Sequence, residues 1–282
     1  MRVRAPASSA NLGPGFDTLA VAVARYVEVE VTPADRLSVH TEGDGADLPQ
    51  DADHLAARVA AMVLGHDRVA IRVKSEIPVA RGMGSSAALA VATAVACGSA
   101  DPLAVAIEID GHAENGAASA MGGLVAAIII DGRPVAHHLP LDPELVFVLL
   151  VPDRPLPTIE ARVALPDQVS HDDASFNLGR MALLLAGLAD HRELVPAATE
   201  DKLHQPPRNR LFPEAPCLME GLVKAGALAS CWSGAGPSLL GICTRENGGR
   251  VRQAGEDLLR HAGVPGFSLL VEADTLGVQV LD

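Results

Sequence analysis

Polar and apolar residues alternate over Arg25–Val31 (RYVEVEV), the period of a strand with one wet face. The alternation returns over Val69–Ile77, with Val69, Ile71 and Val73 on one face and Arg72 and Lys74 on the other. Leu55–Leu64 has helical spacing, and so does Ala87–Ala96, which Gly98 closes. Gly122–Ile130 predicts a buried strand or strand pair turning at Asp131-Gly132. Leu145–Val151 predicts another apolar strand, and the proline-rich Pro152–Pro157 after it marks a boundary between two halves, 1–145 and 146–282. The second half predicts a helix near Phe176–Asp190, a loop over Gln205–Pro216 and a helix over Cys217–Ala225. A strand, a glycine turn at Gly234–Gly236, a strand at Leu239–Cys243, a helix at Arg250–His261 and a final strand at Ser268–Glu272 follow. Strands and helices mix without regular βαβ winding, so the predicted class is α+β.

Composition sharpens this picture in two places. Of 282 residues, 49% are hydrophobic but only 2% aromatic, so the core must be built from Ala, Val, Leu and Ile, and helices can approach sheets closely. Lys plus Arg is 22 against 35 Asp plus Glu, a net charge of −13 without a basic run, which argues against a nucleic-acid partner. Four cysteines (Cys97, Cys217, Cys231 and Cys243) show neither C-x-x-C nor zinc-finger spacing and read as buried free thiols of a reducing compartment. The N-terminus lacks a signal-peptide apolar run, and the apolar stretch Leu124–Ile130 is far shorter than a membrane helix of about 20 residues. A cytoplasmic protein without a membrane partner is expected.

The chemistry concentrates at Pro78–Ala88, PVARGMGSSAA, between a predicted strand and a predicted helix. Gly82 and Gly84 allow positive φ and close approach of a ligand to the backbone. Ser85 and Ser86 are placed to cap the helix and donate hydroxyl hydrogen bonds, and the helix start offers free N–H groups to a polyphosphate. The loop lacks the Lys of a Walker A motif and the third glycine of a dinucleotide fingerprint. A second tight turn lies at Ser233–Ser238 (SGAGPS), and Ala5–Asp17 (APASSANLGPGFD) gathers Ser8, Ser9, Asn11 and Asp17 around Gly13-Pro14-Gly15.

Together these three segments resemble the three motifs of the GHMP kinase superfamily, and in detail those of its homoserine kinase family. Residues 151–166 (VPDRPLPTIEARVALP) and 203–213 (LHQPPRNRLFP) extend the likeness, which runs from about residue 2 to the final strand. The resemblance implies a two-domain GHMP-kinase fold, its N-terminal half like ribosomal protein S5 domain 2 and its C-terminal half ferredoxin-like. It implies ATP with Mg²⁺, transfer of the γ-phosphate to the hydroxyl of L-homoserine in threonine biosynthesis, and a homodimer. Carried over residue by residue, Pro78, Arg81, Gly82, Met83, Gly84, Ser85, Ser86 and Ala87 hold ATP, and Ser85 and Glu108 hold the metal. His112, Asn115 and Asp17 stand beside the reacting groups. Arg162, Arg208 and Thr158 take the acceptor's carboxylate end, and Asn11 and Asp17 its ammonium and hydroxyl.

The chain departs from the family pattern in several places. The stretch between the ATP loop and Glu108 is shorter by roughly two to three helical turns. His54 stands where the family has Asn near adenine, a change that bears on nucleotide preference. The usual HPDN reads HAEN, with Glu114 one methylene longer, and the following VAP reads GAA. Two rival readings remain: a GHMP kinase for a mevalonate-like or sugar hydroxyl, and a degenerate nucleotide-binding paralogue without activity.

Overall fold

In the computed structural model, which describes residues 1–281, the chain opens with β1 (Arg2–Ala10), β2 (Leu19–Pro33) and β3 (Ser38–Gly43). Next come α1 (Leu55–Leu64), β4 (Val69–Ser75), α2 (Ser85–Ala96), α3 (Pro102–Asp110) and α4 (Ala113–Met121), then the hairpin of β5 (Leu124–Ile130) and β6 (Arg133–Leu139). The second half holds β7 (Leu145–Pro152), α5 (Thr158–Val163), α6 (His171–Ala189), α7 (Gln205–Arg208), α8 (Ala215–Ala225) and β8 (Ala229–Trp232). It ends with β9 (Leu239–Thr244), α9 (Gly248–His261), β10 (Gly266–Glu272) and β11 (Gln279–Val280).

Two sheets result. The seven-stranded sheet has the order β11-β1-β2-β4-β3, with β5 on β2 and β6 on β5. The four-stranded sheet runs β10-β7-β9-β8, antiparallel throughout. Its strands stand fourth, first, third and second in chain order, the arrangement of a ferredoxin-like βαββαβ unit. The second sheet opens at Leu145, but β11 crosses back to pair Val280 with Val3 of β1. Ser268–Glu272 is therefore not the last strand.

Small side chains explain how the first half closes. On α2, Ala87, Ala88, Ala90, Val91, Ala92 and Ala94 are all fully buried, so the helix is enclosed on every side rather than on one stripe. Ala5, Ala7, Ser8 and Ser9 of β1 are equally buried beneath it. The strand escaped the periodicity because from Ala5 onward its residues are Ala, Pro and Ser instead of β-branched ones. The register shift at Pro6/Ala7 lets a proline sit in an interior strand.

Other differences have equally local causes. Ile128, Ile129 and Ile130 are 43–52% exposed, not buried, because only Leu19–Val21 of β2 pair with β5 and the rest of the hairpin projects beyond the sheet. The expected loop over 205–216 contains α7 and the start of α8. Cys231 and Cys243 are buried free thiols, but Cys217 is exposed.

Candidate active site

Three loops meet at the N-terminus of α2, and each locks the next. Ser8 N–H donates to Met83 O at 3.1 Å, and Gly234 N–H donates to Ala10 O at 2.9 Å. The fully buried Ser9 and Ser233 hydroxyls pair at 2.8 Å, and Ser233 Oγ donates to Gly82 O at 2.7 Å. The two loop glycines are demanded by this contact. Gly82 has φ +70°, and a Cβ there would lie 2.8 Å from Gly236 N and closer still to Ser233 O. Gly84, at φ +63°, would drive a Cβ into Ser8 Oγ. Non-glycine residues of this region also take positive φ, with Asn11 at 70°, Leu12 at 50°, Asp17 at 51° and Ala80 at 54°, a concentration of strain typical of ligand-holding loops.

The start of α2 is where the structure departs usefully from expectation. Gly84 is the N-cap, and Ser85 and Ser86 are the first helical residues, so no side chain caps the helix. Its leading N–H groups and partial positive charge are left to a ligand. They open onto a cavity of about 240 Å³ lined by Gly82, Met83, Gly84, Ser85 and Ser86 on one wall. Pro78 and Ala87 are buried behind the loop and do not line it. The Arg81 guanidinium donates to Pro152 O at 2.7 Å, to Val79 O at 2.9 Å and to Asp153 O, tying the loop to the end of β7.

A second cavity of about 190 Å³ shares Val79, Ser85 and Ser86 with the first and is walled by Val27, Leu48, Leu55, Val73 and Leu89. Its lining is mainly apolar and it opens beside the start of α2. His54 lines it, but both ring nitrogens are engaged: Nδ1 accepts from Ala56 N–H at 3.2 Å as the cap of α1, and Nε2 meets Thr41 Oγ1 at 3.2 Å. Burial lowers its pKa, so it is a neutral wall rather than a reader of the base.

Glu108 does not reach the site. It is exposed on α3 and absent from the cavity wall, whereas Asp110 lines it and accepts from Ser86 Oγ at 2.5 Å. Residues two apart on a helix point about 200° away from each other, so only one of the two can face the loop. The pair of oxygens beside the phosphate loop is thus Ser86–Asp110; Ser85 lines the same wall.

At the far end Asp17, His112, Asn115, Thr158, Arg162, Arg208 and Asn11 line the same cavity. Arg162 Nη2 donates to both Asp17 oxygens (2.8 and 3.0 Å) and to His112 Nε2 at 2.8 Å. His112 Nδ1–H donates to Asp110 O at 2.7 Å, which fixes its ring. Asn11 bridges loops, giving Nδ2–H to Gly234 O at 2.8 Å and accepting Asp17 N–H at 3.0 Å. Arg208 is only 2% exposed; burial brings its pKa down to about 10, and Asp17 opposes that shift.

Four residues aim this end; of these only Glu114 carries a sequence signal, as a departure from the family motif. His204, fully buried, donates from Nε2 to Gly13 O at 2.8 Å and accepts from Arg208 Nη1 at Nδ1, also at 2.8 Å. Asp201 accepts the N–H groups of His204 and Gln205 at 2.8 and 2.7 Å, holding the start of α7. Phe16 stacks on His204 and lies 5.5 Å from both guanidinium carbons, Arg162 and Arg208. Glu114, 2% exposed, accepts from Asn115 Nδ2 at 3.1 Å. A buried His beside an invariantly charged Arg, and a Phe between two of them, emerge only once the loop and α7 are brought together.

Comparison with known proteins agrees with this arrangement. The family descriptions "GHMP kinases N terminal domain" and "GHMP kinases C terminal" match residues 52–132 and 178–261. A homoserine kinase of Mycolicibacterium smegmatis is 39% identical, covering 84% of this chain and 82% of its own. That of Caldanaerobacter subterraneus subsp. tengcongensis is 34% identical over 100% of this chain and 95% of its own. The crystal structure of homoserine kinase from Cytophaga hutchinsonii superposes with a TM-score of 0.86 at 27% identity, covering 100% and 97%. A mevalonate diphosphate decarboxylase from Staphylococcus aureus shares the fold, with a TM-score of 0.69 at 15% identity over 100% of this chain and 97% of its own. With its unblocked helix start and its paired guanidiniums, the chain belongs to the homoserine kinase family of the ATP-using GHMP kinases.

Proposed function

We propose that the protein phosphorylates the side-chain hydroxyl of L-homoserine with ATP, giving O-phospho-L-homoserine for threonine biosynthesis. The observation that carries this reading is the far wall of the cavity, where Arg162 and Arg208 flank Phe16 opposite the phosphate loop and Asp17 lies between them and Asn11. Two guanidiniums suit one carboxylate, and a carboxylate suits one ammonium. The Arg162–Asp17 pair is 44% and 39% exposed. Such a pair is worth only about 0–1 kcal/mol, so a zwitterion offering opposite charges to both partners can replace it.

The residues then divide the work. The free N–H groups of α2 and the glycine loop hold the triphosphate, and the apolar cavity beside them takes the base. Ser86 and Asp110 offer an all-oxygen donor set that suits Mg²⁺, with Ser85 adjacent. When bound, the cation neutralises charge on the transferring phosphate. Asp17, His112 and Asn115 surround the acceptor hydroxyl. No side chain is required as a strong base, because positioning and electrostatics dominate phosphoryl transfer. By family likeness the protein acts as a cytoplasmic homodimer. No helix among the described residues is long and apolar enough to cross a membrane, and the net charge of −13 argues against nucleic acid.

The deciding experiment is Mg²⁺-dependent ADP release with L-homoserine, L-threonine, mevalonate and galactose in parallel. Turnover with L-homoserine alone is expected; preference for mevalonate or galactose, or no turnover with any, would overturn the reading.

A further inference from the structure

Asn115 lines the cavity between the phosphate loop and the acceptor end, and an amide can make four hydrogen bonds. Its Oδ1 accepts from Ser8 Oγ at 2.9 Å, and one Nδ2 N–H goes to Glu114 Oε1 at 3.1 Å. The second N–H takes no protein acceptor among the described residues. Ser8 is itself immobile: it is fully buried, its backbone N–H holds Met83 O, and its hydroxyl sits where a side chain at Gly84 would be. One end of the amide is therefore anchored to the phosphate loop. Among the described residues, Glu114 is the only group anchoring the other end.

We propose that Glu114 is a positioning residue for phosphoryl transfer: its carboxyl oxygen and the Ser8 hydroxyl clamp the Asn115 amide so that the remaining N–H faces the acceptor hydroxyl and the terminal phosphate. The inference rests on the phosphotransfer reading above and adds a residue to it.

Three features favour a clamp over a merely buried acid. Glu114 sits in the first turn of α4, one residue before Asn115, yet is 2% exposed instead of facing solvent. Among the described residues no cation is bonded to it: Arg162, which lines the site cavity and a neighbouring one with it, is engaged by Asp17 and His112. Burial pushes its carboxyl up to about 7, which is a cost the fold bears for an acceptor placed there. Replacing the acceptor by a methyl group frees the amide to rotate, and the second N–H loses its direction.

The test is a double-mutant cycle on kcat with homoserine. Glu114→Ala is expected to lower kcat about 10- to 100-fold with the ATP KM nearly unchanged, as for an interaction made only in the transition state. Asn115→Ala should be at least as damaging, and the double variant no worse than Asn115→Ala alone, because Glu114 acts through Asn115. Glu114→Gln, which keeps an acceptor oxygen and removes a buried charge, should recover most of the loss. Independent, multiplicative losses in the cycle would overturn the proposal. So would a Glu114→Gln enzyme as poor as Glu114→Ala, which would assign the carboxyl to proton transfer. Thermal melts of each variant separate these results from unfolding. A wild-type enzyme inactive on homoserine would instead sink the underlying reading and leave the clamp to be read with the true acceptor.

Discussion

Gly82→Ala probes the joint on which the site depends. The new methyl would stand 2.8 Å from Gly236 N and nearer to Ser233 O, and both are backbone atoms. They cannot swing aside as a flexible side chain would, because Ser233 Oγ holds Gly82 O at 2.7 Å and Gly234 N–H holds Ala10 O at 2.9 Å. The φ of +70° adds a cost of about 1–2 kcal/mol for a non-glycine residue. Forcing a methyl into packed backbone adds about 1–3 kcal/mol. The sum, about 2–5 kcal/mol, is a large part of a typical stability of about 5–15 kcal/mol. At about 2–4 °C per kcal/mol for a chain of this size class, Tm should fall by about 4–20 °C. Gly98→Ala supplies the control: its φ is +82°, but nothing lies within 4 Å of the added Cβ, so only the backbone cost of about 1–2 kcal/mol remains. The assay is a thermal melt of both variants with and without ATP, together with the KM for ATP. Gly82→Ala alone should raise that KM, because only its clash displaces the phosphate loop. Equal Tm losses with ATP binding intact in both would refute the claim that the Ser233–Ser238 turn locks the glycine loop before α2.

Three further outcomes follow from individual contacts. Asp110→Asn should raise the Mg²⁺ concentration for half-maximal rate at least about tenfold, while Glu108→Gln leaves it unchanged; a metal titration of initial rates checks both. Arg208→Lys keeps the charge but not the planar fork, so the homoserine KM should rise about tenfold or more while the ATP KM stays within about twofold, measured by steady-state kinetics. His204 is fully buried and its pKa is lowered by that burial, so the unfolded chain binds its proton more readily than the folded one. Its contribution to stability is therefore complete above about pH 6.5 and is lost as pH falls below that value. In melts from pH 7.5 to 5, His204→Asn should lose less stability with falling pH than the wild type does. The buried His54 acts in the same sense as His204, and Glu114, held up to about 7, and His112 act in the opposite sense, but all three are common to both proteins and cancel in the comparison. The carboxylates of Asp142 and Asp190, held at about 2, act only at more acidic pH.

The sequence disclosed elements where one physical pattern dominated. Leu55–Leu64 was legible as a helix to the residue, and Val69–Ser75 as a strand, because burial falls on one face of each. It concealed those whose environment is uniform. β1 and α4 are rich in Ala and Ser, are packed from several sides, and leave no periodic trace. Ile128–Ile130 misled in the other direction, since an apolar run says nothing of a hairpin projecting beyond its sheet. In the site, the glycine turn before α2 could be read from local chemistry alone, and the structure gives it an uncapped helix start that opens on a cavity. The Ser86–Asp110 pair proposed for the cation could not: Glu108 and Asp110 are both acids on one short helix, and only the turn of α3 decides that Asp110 meets Ser86. His204, Phe16 and Asp201 were hidden because their roles exist only across loops distant in the chain.

The fold does not by itself choose an acceptor. The same architecture serves a mevalonate diphosphate decarboxylase at 15% identity, so the choice must lie in side chains mounted on it. The phosphate end is made mostly of backbone: glycines, an uncapped helix start and carbonyls held by Arg81. Backbone donors fit any triphosphate and are indifferent to what lies beyond it. The other end is made of side chains, and it is asymmetric in charge. Arg208 is buried and aimed by His204, so it cannot turn to water, whereas the half-exposed Arg162 can leave Asp17. A hydroxy acid would satisfy the two guanidiniums but leave Asp17 without the partner it loses. An amino alcohol would satisfy Asp17 but bring no carboxylate to Arg208, leaving that guanidinium only its neutral protein acceptors, Ala161 O, His204 Nδ1 and Gly234 O. On the proposed reading, a small molecule carrying both charges at one carbon replaces the Arg162–Asp17 contact it breaks, and selectivity for an amino acid would rest on that balance rather than on the size of the cavity.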